Sequence, residues 1–90
     1  MQNKQKEILL ICQEECAEVT QAISKTFRFG FDAEYNGRTN KQRLEEELGD
    51  LFCMVGLMIK EGLVDGDVIE TAATDKLNKL KKWSGIFKDE

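Results

Sequence analysis

The chain has 90 residues, a formal net charge of −4, no histidine and no proline. Its length predicts a single domain over residues 1–90, with a core thin enough that self-association is expected. The acidic balance argues against nucleic-acid binding, and the missing histidines exclude imidazole zinc sites and histidine-based triads. No apolar stretch approaches ~20 residues, so neither a membrane span nor a secretory signal is expected, and the cytoplasm is the expected location.

The first predicted helix runs from about Lys4 to about Phe27. Its apolar residues recur at every third or fourth position, which is the spacing of one helix face. They are Ile8, Cys12, Cys16, Val19 and Ile23. Glu15 and Glu18 lie on the neighbouring line of the same helix, so this acidic pair borders the expected core, and Glu14 is within reach of the same region.

The connection after this helix, residues 27–38, is rich in aromatic residues and has no helical or alternating period. We predict that the helix ends near Gly30 and that an irregular loop follows. The aromatic residues are Phe27, Phe29, Phe31 and Tyr35. Two interpretations stay open: a stacking surface for a nucleobase, with selective hydrogen bonds from Asn36 and Arg38, or a filling for a thin core or subunit contact.

The second helix is predicted to begin at Thr39, because Thr39 and Gln42 have the spacing of a capping box. Glu47 and Asp50 are neighbours on one face of this helix. They adjoin an apolar stripe made of Leu44, Leu48, Leu51, Val55, Met58 and Ile59. Gly62 is expected to end the helix.

The third predicted helix runs from about Val68 to Trp83, and Asp65 or Asp67 is expected to cap its start. Its apolar stripe consists of Ile69, Ala72 or Ala73, Leu77, Leu80, and Trp83 or Ser84. Lysines lie on both sides of this stripe. Taken alone, these lysines favour a solvated helix end, where cations are stabilised, and the alternative is a surface that meets a small anion.

Four carboxylates on two helices, those of Glu15, Glu18, Glu47 and Asp50, are expected to converge beside the core. Because burying unpaired charge is costly, a cation is expected between these carboxylates. The alternative is that both acidic helix faces lie in solvent. All-oxygen ligands suit Mg²⁺, with Mn²⁺ as a substitute, and magnesium held in this way commonly binds substrate phosphates. Lys25, further along the line of Glu18, is either a phosphate contact or an ordinary helix-end lysine.

The two acidic motifs are EECAE at residues 14–18 and ELGD at residues 47–50, with 28 residues between them. Together they resemble the motifs of the MazG-like all-α nucleoside triphosphate pyrophosphohydrolases, a superfamily that includes dimeric dUTPases and dCTP pyrophosphatases. The resemblance covers residues 8–83. It implies Mg²⁺-dependent hydrolysis between the α- and β-phosphates, which gives a nucleoside monophosphate and pyrophosphate.

The resemblance also implies roles for individual residues. The implied metal ligands are Glu15, Glu18, Glu47 and Asp50. Glu14 is implied to orient or deprotonate the attacking water, or to support the metal ligands.

A phosphate-binding motif is implied on the third helix, with lysines followed by an asparagine and an arginine. Lys76 and Lys79 match this motif. Leu80 stands where asparagine is common and Trp83 where arginine is, so Lys82 is the candidate substitute for that arginine.

The predicted fold is an all-α antiparallel bundle of three to four helices per chain, completed by assembly into a homodimer or homotetramer. Two other functions remain open from the sequence. One is a non-catalytic helical interaction module, in which the carboxylates lie on the solvent-exposed surface and the aromatic loop binds a partner. The other is a pyrophosphohydrolase that acts on a non-nucleotide pyrophosphate such as a phosphoribosyl compound.

Overall fold

The computed structural model describes residues 1–88, which form three helices and one short hairpin. The elements in chain order are α1 (Asn3–Phe29), β1 (Glu34–Tyr35), β2 (Arg38–Thr39), α2 (Asn40–Lys60) and α3 (Gly66–Trp83). α1 and α2 pack against each other as an antiparallel pair. Helix dominates the structure, which confirms the predicted all-α class. No helix in the described part is both long and apolar enough to cross a membrane.

Local signals in the sequence set the ends of the helices. The Thr39 side chain accepts a hydrogen bond from the Gln42 N–H at 3.1 Å, and the Gln42 side chain accepts one from the Thr39 N–H at 2.9 Å. This is the predicted capping box of α2. Gly30, with φ of 96°, ends α1. The Asp65 carboxylate accepts from the Asp67 N–H at 2.8 Å and caps α3.

The connection between α1 and α2 differs from the irregular loop predicted for it. Residues 34–35 pair antiparallel with residues 38–39, so the connection contains a β-hairpin. Its two turn residues, Asn36 and Gly37, both have positive φ, 55° and 78°. A two-residue hairpin turn requires this conformation, because it matches the twist of the flanking strands, and Asn-Gly is its preferred sequence.

The core lies between α1 and α2, and it is small. The buried apolar residues are Ile8, Cys12, Ala22 and Met54. Ile11, Leu51, Leu57, Met58 and Leu63 pack around this core and are partly buried. The buried line therefore runs down the facing sides of the two helices, next to the acidic positions.

Part of each predicted apolar stripe is exposed, which corrects the expectation that the whole stripe forms the core. Cys16 is exposed, and Ile23 is 41% exposed. On α2, Leu48 is 37% exposed and Ile59 is 41% exposed. The reason is that the only extensive helix–helix contact among residues 1–88 is the one between α1 and α2, which covers one edge of each wide stripe and leaves the other edge uncovered.

The third helix has its predicted apolar stripe, but no residue of it is fully buried, and Leu80 is half-buried. Leu77 is 42% exposed. Its first residue, Gly66, lies against the Ile59 side chain of α2. The helical pair thus positions the acidic residues, and α3 extends from it.

Candidate active site

Three of the predicted carboxylates meet where α1 faces α2. One carboxylate oxygen from each of Glu15, Glu47 and Asp50 lies within 4.8 Å of the other two. Glu15 and Glu47 are half-buried between the helices, and Asp50 is exposed at the edge of the group. The three-residue spacing of Glu47 and Asp50 gives them one helix face, and antiparallel packing brings Glu15 opposite that face.

This carboxylate group is electrostatically uncompensated by the described chain. Burial raises the pKa of Glu47 above its ordinary value, and the neighbouring charges of Glu18, Asp50 and Glu15 raise it further. No lysine or arginine of residues 1–88 forms a salt bridge with any of these carboxylates. A cation between them would remove the repulsion, because an opposite charge nearby favours the ionised form.

The donor set of the carboxylate group fits a hard divalent cation. All of its ligand atoms are carboxylate oxygens, which suit Mg²⁺ and Mn²⁺ rather than softer metals. Their mutual separation, within 4.8 Å, is close to the span of roughly 4 Å across an octahedral Mg²⁺ shell.

The other predicted site residues fall into three groups. Glu18 is exposed and lines a cavity of about 80 Å³ together with Glu47 and Lys25, so both Glu18 and Lys25 lie beside the carboxylate group. Glu14 is exposed and lines neither this cavity nor its larger neighbour. The three α3 lysines predicted to bind phosphate are likewise exposed and line neither cavity. They are Lys76, Lys79 and Lys82.

A larger cavity of about 470 Å³ lies between the end of α1, the hairpin and the first turn of α2. Phe29 and Tyr35 form its aromatic lining. The two cavities share a wall made of Lys25, Asn40 and Arg43. The larger, mostly apolar cavity therefore continues into the smaller one, which ends at the acidic residues.

Asn40 and Arg43 did not figure in the sequence prediction. Asn40 is buried, and its side-chain amide donates to the Gly30 carbonyl at 2.8 Å and to the Lys25 carbonyl at 3.5 Å, which fixes the start of α2 to the end of α1. The spacing of Asn40, Arg43 and Glu47 by three and four residues places them on one helix face. That polar line was visible in the sequence.

The aromatic residues of the connection separate into two sets. Phe29 and Tyr35 line the larger cavity, whereas Phe27, 87% exposed, and Phe31 do not. Asn36 lies in the hairpin turn, and Arg38 forms a salt bridge with Glu46. The two residues expected to select the base therefore line neither cavity.

The helical pair, its carboxylate group and the adjoining cavities define an all-α protein with a candidate divalent-metal site. Residues 3–84 match the family model of the MazG nucleotide pyrophosphohydrolase domain. The match covers both acidic motifs and all three helices, so the chain belongs to this family, as its sequence resemblance indicates. No curated protein and no solved structure gives a significant match.

Proposed function

We propose that the chain hydrolyses nucleoside or deoxynucleoside triphosphates between the α- and β-phosphates and releases a monophosphate and pyrophosphate. Membership of the family supports a nucleotide pyrophosphohydrolase in general. The observation that carries the finer proposal is the carboxylate group of Glu15, Glu47 and Asp50 at one end of a continuous pair of cavities. The larger cavity, at about 470 Å³, is within the range of roughly 300–1,000 Å³ that is usual for small-molecule sites.

The proposed cofactor is Mg²⁺, with Mn²⁺ as a substitute, held by Glu15, Glu47 and Asp50, with Glu18 as a fourth ligand. When bound, the ion would neutralise phosphate charge and make water a stronger nucleophile at neutral pH. The three converging carboxylates would position it between α1 and α2. Without a cation, the same carboxylates would repel a triphosphate, so metal and substrate are expected to bind together.

Residues around the carboxylate group take the remaining roles in this proposal. Lys25 lines the small cavity beside Glu18 and Glu47, where its ammonium group can hold a phosphate oxygen. Glu14, next in sequence to a proposed ligand, is assigned to orienting the attacking water and accepting its proton. The proposed location is the cytoplasm.

Assembly into a homodimer or homotetramer is part of the proposal. Exposed apolar residues lie on one face of α2, among them Phe52, which is 74% exposed, and Ile59, seven residues further on. The apolar stripe of α3 is exposed as well. A second copy of the chain that covers these surfaces would supply the burial that one copy lacks. It would also give Lys76, Lys79 and Lys82 a phosphate-binding position on a neighbouring site.

The test is a panel of ribo- and deoxynucleoside triphosphates incubated with the protein and Mg²⁺, with monophosphate and pyrophosphate measured separately. Equal amounts of the two products are expected for at least one nucleotide. Release of inorganic phosphate and a nucleoside diphosphate instead would contradict the proposed bond. A phosphoribosyl pyrophosphate compound in the same panel tests the non-nucleotide alternative.

A thermal denaturation experiment separates the enzyme from a non-catalytic interaction module. A ligand that binds only the folded state raises the melting temperature according to its concentration relative to Kd. Millimolar Mg²⁺ should therefore raise the melting temperature of a protein whose carboxylates converge on the ion. An interaction module with solvated acidic faces should show the same small change with Mg²⁺ as with an equal ionic strength of NaCl.

A further inference from the structure

Two half-buried cations in the wall between the cavities form no salt bridge within the described chain. They are Lys25 and Arg43, and neither forms a salt bridge within residues 1–88. Acidic residues outnumber basic ones in this protein, 17 to 13. Glu18 and Glu47 line the smaller cavity with these two cations, and Glu34 lines the larger one, but none of the three forms a salt bridge with either cation. The N–H donors of the two cations are therefore not used in ion pairs and can bind an anion at this wall.

Arg43 is the better placed of the two to bind that anion in a fixed orientation. Its guanidinium donates to the Tyr35 carbonyl at 2.9 Å and lies 5.8 Å from the centre of the Tyr35 ring. These contacts hold the side chain against the hairpin and use one of its several N–H donors. The remaining donors have the planar arrangement that matches two oxygens of one phosphate group.

The order of features along the cavities matches the order of groups along a nucleotide. The aromatic lining of Phe29 and Tyr35 comes first, the wall with Arg43 follows, and the cavity that contains Glu47 comes last. A base and sugar in the larger cavity would have aromatic rings to stack on. The first phosphate would then reach Arg43, and the outer phosphates would reach the carboxylate group and its metal.

We infer that the larger cavity is the nucleoside subsite and that Arg43 binds the phosphate next to the nucleoside. This inference rests on the proposed function, because it orients the same substrate in the same site. It adds a substrate-binding residue outside both acidic motifs. It also gives the hairpin a role, since Tyr35 lines the subsite and holds Arg43 at its boundary.

The experiment measures binding without turnover. Calorimetric titrations in EDTA compare each common nucleoside monophosphate with the matching free nucleoside, on the wild type and on Arg43→Gln. A charge-assisted contact with phosphate should make the monophosphate bind roughly 10- to 150-fold more tightly than the nucleoside in the wild type. Arg43→Gln should remove most of this difference and leave nucleoside affinity unchanged.

Three further variants make the outcome specific. Lys41→Gln removes an exposed cation two residues away, which pairs with Glu45 on the surface, and should behave as the wild type. Arg43→Lys keeps the charge and should restore part of the monophosphate preference. Tyr35→Ala removes a stacking surface and should weaken nucleoside and monophosphate alike, by roughly 5- to 150-fold. An unchanged Mg²⁺-induced rise in melting temperature verifies that each variant is folded.

The possible results separate this inference from the proposed function. If the wild type releases pyrophosphate but Arg43→Gln keeps the full monophosphate preference, the phosphate role of Arg43 is wrong and the function stands. Equal weakening of nucleoside and monophosphate in Arg43→Gln would also overturn that role, because it would show that Arg43 only supports the hairpin. If the wild type shows the expected preferences but releases no pyrophosphate from any nucleotide, the subsite stands and the function is wrong.

Discussion

The helical pair α1–α2 and the helix α3 have similar amphipathic sequences but different surroundings. The pair holds the whole buried core, including Ile8 and Met54, and the carboxylate group lies within the same contact. α3 has an equally regular apolar stripe, yet none of its residues is buried, and Trp83 is 77% exposed. Amphipathic period thus predicts that a helix will pack, but it does not say whether the partner lies in the same chain.

The comparison also separates the two halves of the proposed substrate site. Everything that the structure brings together lies on the pair and its hairpin, from Phe29 to the carboxylate group. The lysines of α3 are absent from both cavities. The residues proposed to bind the metal and the nucleoside therefore lie within one chain, whereas the proposal assigns any phosphate contact from α3 to a second copy. Four predictions test this division.

The largest effect is expected from Asp50→Ala, which removes a proposed metal ligand from the pair. Turnover should fall at least ~100-fold, because even supporting residues around a metal site cost about 10- to 100-fold. The Mg²⁺-induced rise in melting temperature should shrink as well. Asp75→Ala is the matched control, since Asp75 is an exposed aspartate on α3 that lines neither cavity of the proposed site. Full activity in Asp50→Ala would show that Asp50 is not a metal ligand.

Without metal, the same Asp50→Ala variant should be at least as stable as the wild type. The Asp50 charge contributes to the raised pKa of Glu47, so the charged form of Glu47 is disfavoured in the folded protein. Because its folded-state pKa is raised, ionised Glu47 opposes folding once the pH exceeds its unfolded-state pKa. Removing Asp50 lessens this penalty, and the gain in melting temperature in EDTA should therefore be larger at neutral pH than in acid.

The second prediction concerns α3. Leu77→Glu places a charge in the middle of its apolar stripe, and burying an unpaired charge in an interface is strongly unfavourable. Light scattering should show that the wild type is at least dimeric at micromolar concentration, and that Leu77→Glu has a dissociation constant at least ~100-fold higher. Thr71→Glu, on the opposite side of the same helix, should leave the mass unchanged. A monomeric wild type would overturn the proposed assembly.

The third prediction compares burial in the two regions directly. Met54 is 7% exposed in the core of the pair, whereas Val68 is 64% exposed on α3. Met54→Ala should lower the free energy of unfolding by about 2–5 kcal/mol, through lost burial and the cavity left behind. Val68→Ala should change it by no more than about 0.5 kcal/mol. Denaturant titrations of both variants at one protein concentration provide the measurement, and equal losses would mean that α3 is as well packed as the pair.

Sequence reasoning reached the fold class and the helix ends because both depend on local chemistry. The capping box of Thr39 and Gln42, the glycine that ends α1 and the cap by Asp65 are contacts between residues a few positions apart. The acidic motifs could likewise be recognised from the sequence. Three-residue spacing and two helices sufficed to predict that Glu15 would lie near Glu47.

What sequence reasoning did not reach depends on how the helices pack. The apolar stripe indicated that Cys16 and Leu48 would be core residues, but the contact between α1 and α2 is rotated towards the acidic line and leaves both exposed. Arg43 was missed because its importance comes from a cavity shared with the hairpin. The hairpin itself could have been predicted, since Asn36-Gly37 is a strong hairpin signal.

The smallest effect is expected at the joint between the two regions, where the end of α2 leads towards α3. Glu61 forms a salt bridge with Lys4 at 2.6 Å, and its carbonyl accepts a hydrogen bond from the Gln5 side chain at 3.4 Å. The hydrogen bond from Lys4 lowers the pKa of the Glu61 carboxyl. A carboxyl with a lowered folded-state pKa stabilises the fold above its unfolded-state pKa, and this contribution disappears as the pH falls through the folded-state value.

Glu61→Gln should therefore lower the melting temperature slightly at neutral pH, by the small amount typical of an exposed ion pair, and match the wild type in acid. Glu7→Gln, an exposed glutamate of α1 outside the ion pairs of residues 1–88, should show no such pH-dependent difference. If Glu61→Gln and the wild type have the same melting temperature at every pH, the ion pair contributes nothing, and the start of α1 is held to the end of α2 by apolar packing and the Gln5 hydrogen bond.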